Sequence, residues 1–135
     1  MTNPKLALDY LTRSRARLKA IDVLVSEAAH ADVVRESQEV VELLLKALLR
    51  SFGLPVPFSH DLSEVLEQNL MRLPEPVGRL VPRWSEISKQ LRKDRELAFY
   101  GSEDITPSTF YTRADAEKAK AMAEEILSGV APWIR

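Results

Sequence analysis

This sequence predicts an all-α fold, a five-helix antiparallel up-and-down bundle forming one domain over residues 1–135. Three observations carry the prediction. Apolar residues recur three and four apart along most of the chain, and no run alternates as a strand would. Only 4 glycines occur among 135 residues, while Ala, Leu, Glu, Lys and Arg, which lose least on entering a helix, are abundant. The breaks between periodic segments are short and carry proline, glycine or a capping residue.

The first helix is expected over about 4 to 29. Asn3 can cap it, Pro4 suits the first helical position, and Leu6, Tyr10, Leu18, Ile21, Val25 and Ala28 share a face. "HAD" at 30–32 interrupts the pattern, so His30 reads as a loop residue and Asp32 as the next cap. The second helix, "VVRESQEVVELLLKALLRSFG", has the widest apolar face, built from Val33, Val40, Val41, Leu44, Leu45, Leu48, Leu49 and Phe52. A face that wide needs more than one neighbour. Gly53 ends the helix.

"LPVPF" at 54–58 is an extended connector, because proline disfavours helix in the residue before it. In "SHDLSEVLEQNL", Asp61 and Glu64 have capping-box spacing, which places a short helix over about 61 to 70. "PEP" at 74–76 closes it. A fourth helix is expected over about 77 to 100, with an onset nearer Pro82. Trp84, Ile87, Leu91 and Ala98 lie on one of its faces, and Gly101 stops it. After the loop "SEDITPSTFY", Thr112 and Asp115 form a second capping-box pair. The last helix puts Ala116, Ala119, Ala123, Ile126 and Val130 on one face, where small alanines allow close approach of a neighbour.

Composition narrows the function. The formal net charge is −1, so no global field draws the chain to nucleic acid or an anionic membrane; an RNA-binding surface would be a local patch. The absence of cysteine excludes thiol catalysis, disulfides and zinc–thiolate sites, and fits a cytoplasmic protein. No apolar run is long enough to span a bilayer, and "MTNPKLALDYLTRSR" lacks the order of a signal peptide. The two histidines, His30 and His60, have no second ligand at metal-binding spacing, so neither a metal nor another cofactor is expected. No glycine-rich phosphate cradle is present.

One stretch departs from the pattern. In "QLRKDRELAFYG", at 90–101, Arg95 falls between Leu91 and Ala98 on the apolar stripe. Arg92 projects from a neighbouring part of the same face, so the two guanidinium groups could clamp a phosphate. The alternative is a charged helix end, with Arg95 in an ion pair to Glu96 or Asp94 of a partner chain. Gln38, Glu42 and Lys46, each four apart, form a polar stripe on the second helix, with Glu42 and Lys46 in the favourable order for an ion pair.

Taken in order, "ESQEVVELLLKALLRSFG" with Gln38, Glu42 and Lys46, "SHDLSEVL" with His60, and "LRKDRELAFYGSEDITPSTFYTRADAEKAKAMAEEIL" resemble the HEPN domain family, the nucleotide-binding module named from higher eukaryotes and prokaryotes. The resemblance implies a helical bundle that usually dimerises. Many members are RNases, often toxins of toxin–antitoxin pairs, with an Arg, four to six residues, then a His. Members without that motif pair with a small nucleotidyltransferase or bind nucleotide or RNA without cutting. Here Arg95 matches the arginine of the motif, and Tyr100 stands where the histidine is expected.

Chemistry makes that departure count against cleavage. An arginine, with a pKa above about 12, and a tyrosine, near about 10, are poor bases at neutral pH. The sequence therefore points to a homodimeric module for nucleotide, RNA or a nucleotidyltransferase partner, with Arg92, Arg95, Tyr100 and Lys46 as phosphate-binding candidates. Gln38, Glu42 and His60 are secondary candidates, and no membrane is involved. The alternatives are a divergent metal-independent endoribonuclease using Arg95 and Tyr100, and a structural helical adaptor.

Overall fold

The computed structural model describes residues 3–56 and 61–134. Seven α-helices follow one another among these residues: α1 Pro4–Ser26, α2 His30–Ser51, α3 Leu62–Gln68, α4 Glu75–Gly78, α5 Val81–Tyr100, α6 Pro107–Phe110 and α7 Arg113–Val130. Single 3-10 turns lie at Leu70–Arg72 and Ala131–Trp133. The five longer helices answer the five expected ones. The count differs because α4 and α6 are single turns inside the connectors.

Local chemistry explains most boundaries. The Asn3 side chain accepts from the Leu6 amide at 3.1 Å and opens α1. α1 stops at Ser26, short of 29, and Ala28 turns the chain with a left-handed φ of 55°. His30 is therefore the first residue of α2 and not a loop residue. Asp32 does not cap that helix; it lies in the first turn, where its charge suits the helix dipole. Gly53, at φ 66°, follows the last turn of α2 as expected. The Asp61 carboxylate caps α3 by accepting from the Ser63 amide at 3.0 Å. The Thr112–Asp115 capping box forms in full, with bonds of 2.8 and 3.2 Å.

α2 is the centre of the packing. It lies against α1, α5 and α7, while α3 rests on α5. Leu44, Leu45, Leu48 and Leu49 are all fully buried, which is why its apolar face runs so far round. Each such side chain contributes roughly 1.5–3 kcal/mol through burial. Ala119 and Ala123 of α7 are buried on the other side of that contact zone. Among the described residues no helix is long and apolar enough to cross a membrane.

Gly129 tests how tightly α5 and α7 are fitted together. A β-carbon there would come within 2.6 Å of Cζ2 of Trp84, a ring that is itself buried. Helix propensity alone favours alanine by about 1 kcal/mol, and overpacking a rigid core costs about 1–3 kcal/mol. Gly129→Ala is expected to lower unfolding stability by up to about 2 kcal/mol in a urea titration; a gain would mean that the Trp84 ring can move aside.

Candidate functional site

α2 and α5 meet along a seam of alternating charge. Arg35, Glu39, Glu42 and Lys46 recur four, three and four apart, so all four lie on one side of α2. Nη2 of Arg35 is 3.0 Å from Oε1 of Glu39, and Nζ of Lys46 is 3.3 Å from Oε1 of Glu42. Arg95 reaches in from α5, with its guanidinium nitrogens 3.8 Å from Glu39 and 4.0 Å from Glu42. The arginine that breaks the apolar stripe thus stands within ion-pair range of two carboxylates of its own chain, both on α2. A half-exposed pair of this kind contributes at most about 1 kcal/mol, so the ladder places charge more than it stabilises the fold.

On the solvent side of this seam lies a groove of about 440 Å³ lined by Arg35, Arg92, Lys93, Arg95, Glu96 and Tyr100. Arg92 and Arg95 do open onto one surface, as their spacing predicts. Among the described residues neither Arg92 nor Lys93 has an ion pair within 4.0 Å. The Arg35 guanidinium stacks 5.0 Å above the Phe99 ring, and Phe99 meets Tyr100 edge to face at 4.6 Å. Phe99 is 51% exposed and Tyr100 77% exposed, so both aromatics face solvent at the end of α5.

The other candidates fall into place around this groove. Lys46 sits at the far end of the ladder and does not line the groove. Gln38 is 5% exposed and lies under the ladder, donating from Nε2 to Oε2 of Glu42 at 3.3 Å. His60 lies outside the described residues. Arg35 and Lys93 are the lining cations that spacing did not single out. The signal for Arg35 was present, since it continues the four-and-three spacing of Glu39, Glu42 and Lys46 by one more turn.

The opposite flank of α5 faces α7 and has a different chemistry. Asp94 turns away from the groove and accepts from the Tyr111 hydroxyl at 3.0 Å. Tyr111 is buried, and it lines a recess of about 230 Å³ together with Asp94, Asp115, Lys118, Gln90 and Phe110. Burial, the bond to Asp94 and the negative charges of Asp94 and Asp115 all push the Tyr111 hydroxyl well above the usual tyrosine range. Further along, Arg83 makes a two-pronged pair with Glu125 at 2.9 and 3.1 Å and ties α5 to α7. That hydrogen-bonded pairing raises Arg83 and lowers Glu125, against the opposing effect of burial.

An all-helical chain with a charged seam between its second and fifth helices defines a helical module with a polyvalent cationic groove. The chain belongs to the HEPN domain family, which matches residues 7–131. It is similar in structure to TT1696 from Thermus thermophilus, with a TM-score of 0.74 and 27% identity over 94% of this chain and 97% of that one. It is also similar to ST0689, described as an archaeal HEPN homologue, with a TM-score of 0.67 and 22% identity over the full length of both. The second likeness is one of fold. No curated protein matches the chain.

The Tyr111–Asp94 bond gives a pH-dependent prediction. Because the folded state raises the hydroxyl pKa, its stabilising effect is complete below the unfolded tyrosine value near about 10 and fades as pH climbs above it. Tyr111→Phe is expected to cost about 1.5–3 kcal/mol at pH 7, the range for a bond to a charged group. The gap between wild type and variant should narrow above about pH 10. Denaturant titrations at pH 7 and pH 11 would measure it, and a constant gap would contradict the assignment.

Proposed function

We propose that the protein is a phosphate-recognising HEPN module that binds a nucleotide or RNA through the α2–α5 groove without cutting it. One observation carries this reading: Arg35, Arg92, Lys93 and Arg95 open onto one groove beside an exposed Tyr100. Guanidinium groups suit phosphate oxygens in fork geometry, and a solvent-facing tyrosine offers a stacking surface for a base. The lining holds no histidine, and Glu96 is its one carboxylate. Tyr100 occupies the place of the histidine that RNases of the family use, and its hydroxyl can position a ligand without taking a proton from it.

The reading extends to a homodimer. Phe99 and Tyr100 present exposed aromatic surface next to the groove, and a second copy covering that face would bring two grooves together. Pairing with a small nucleotidyltransferase fits the same surface and is the role taken by family members without the RNase motif. The alternative of a metal-independent endoribonuclease rests on Arg95. That side chain makes no side-chain hydrogen bond to the described residues and has donors to offer a scissile phosphate.

Binding to the folded state alone raises stability by about 2.7 kcal/mol at a ligand concentration of 100 Kd. AMP or a short single-stranded RNA is therefore expected to raise the melting temperature in a thermal-shift assay. Arg92→Ala combined with Lys93→Ala should weaken binding by about tenfold or more, the loss of roughly 1.4 kcal/mol or more in charge-assisted contacts. Labelled RNA incubated with the protein and a chelator should remain intact. Cleavage that Arg95→Ala abolishes would establish the endoribonuclease instead. A monomer that no nucleotide or RNA stabilises would favour the structural adaptor.

A further inference from the structure

We infer that the recess between α5 and α7 binds a small zwitterion of the α-amino-acid class with an aliphatic side chain, its two charges met by Asp94 and Lys118. The site lies on the flank of α5 away from the phosphate groove and does not depend on that reading.

α5 and α7 both pack on α2 and meet each other at few points. Arg83 and Glu125 bridge them at 2.9 and 3.1 Å, and the Tyr111 hydroxyl ties the approach to α7 onto Asp94 of α5 at 3.0 Å. A recess of about 230 Å³ stays open beside the second tie. Walls fixed in this way are preformed, so a ligand entering them orders little of the protein. Val34, Leu91, Ala119 and Met122 make an apolar floor, each at most 4% exposed. The volume falls short of the roughly 300–1,000 Å³ of sites for drug-sized molecules, so the ligand is small.

The rim carries charge of both signs that the fold does not pair. Asp94, Asp115 and Lys118 all line the recess, and among the described residues none has an oppositely charged partner within 4.0 Å. The other cations of α7, Arg113 and Lys120, pair with Glu117 and Asp22. Asp115 and Lys118 are three apart, a spacing at which helix charges pair. Asp115 instead gives Oδ2 to the Thr112 amide and hydroxyl at 2.8 and 3.0 Å, and its charge serves the start of α7. That leaves one anion and one cation for a ligand, Asp94 from α5 and Lys118 from α7. Asp94 spends Oδ1 on Tyr111, and its Oδ2 accepts no bond from the described side chains. A fitting ligand brings a cationic donor for Asp94, an anionic acceptor for Lys118 and an apolar body for the floor. An amino acid supplies all three in its ammonium, carboxylate and aliphatic side chain. A phosphate dianion would face two carboxylates against one ammonium, and a simple amine would leave Lys118 opposed by like charge.

The test titrates leucine, isocaproate and isoamylamine into the protein by calorimetry at neutral pH. The three share a branched aliphatic chain; isocaproate lacks the ammonium and isoamylamine lacks the carboxylate. Wild type is expected to bind leucine about tenfold tighter than isocaproate, the loss of a charge-assisted contact to half-buried Asp94. It should bind leucine about threefold tighter than isoamylamine, a smaller ratio because Lys118 is exposed. Asp94→Asn should erase the first ratio and keep the second. Lys118→Ala should erase the second and keep the first. Melting without ligand confirms that each variant is folded. Lys118 makes no bond to the described side chains, so its variant serves even if loss of the Tyr111 contact unfolds Asp94→Asn. A purely structural role for either residue would shift melting without moving its ratio. Ratios that the variants leave unchanged, or no binding of leucine by wild type at about 10 mM, would overturn the inference.

Discussion

The crowding of α2 is the constraint on which the rest depends. Three long helices pack against it at once, so most of its circumference must be apolar. Its charge is confined to the edges of those contacts: Glu36 meets Arg17 of α1, and a longer strip lies beside α5. Arg35, Glu39, Glu42 and Lys46 occupy that strip at helical spacing, and Arg95 enters it from the facing helix. The alternation of sign follows from proximity. A run of like charges on a strip this narrow would repel itself, whereas alternation lets each carboxylate serve two cations.

α5 then divides two chemistries. Asp94 and Arg95 are consecutive, so a helix turns them to different flanks. Arg95 faces the cationic groove with Arg92, Lys93 and Tyr100. Asp94 faces α7, where the buried Tyr111 hydroxyl bonds to it. Removing Asp94 from the groove side keeps a carboxylate away from the free cations there. The tight seat of Gly129 under Trp84 and the Arg83–Glu125 pair hold α7 against α5 and so keep that flank in register.

Much of this was legible from local pattern. The cap at Thr112, the stop at Gly101 and the apolar faces of α2 and α5 depend on residues a few positions apart, and the structure follows them. The single-turn helices α4 and α6 were not legible, since four residues cannot display a helical period. His30 was misplaced because one residue, Ala28, absorbs the whole turn between α1 and α2. The anomaly of Arg95 was visible, but its partners were not: Glu39 and Glu42 lie far upstream and meet it only through packing. Spacing by four also set Gln38 on the polar stripe. The structure buries it and gives its place to Arg35 and Glu39.

The central claim is that the seam between α2 and α5 presents Arg95 and Arg92 to a phosphate. A crystal structure of the protein grown with AMP tests it most directly. The phosphate is expected in the α2–α5 groove, with guanidinium nitrogens of Arg92 and Arg95 about 2.7–2.9 Å from its oxygens, the range of charge-assisted bonds. AMP bound instead in the recess between α5 and α7, with Arg95 still standing off between Glu39 and Glu42, would contradict it.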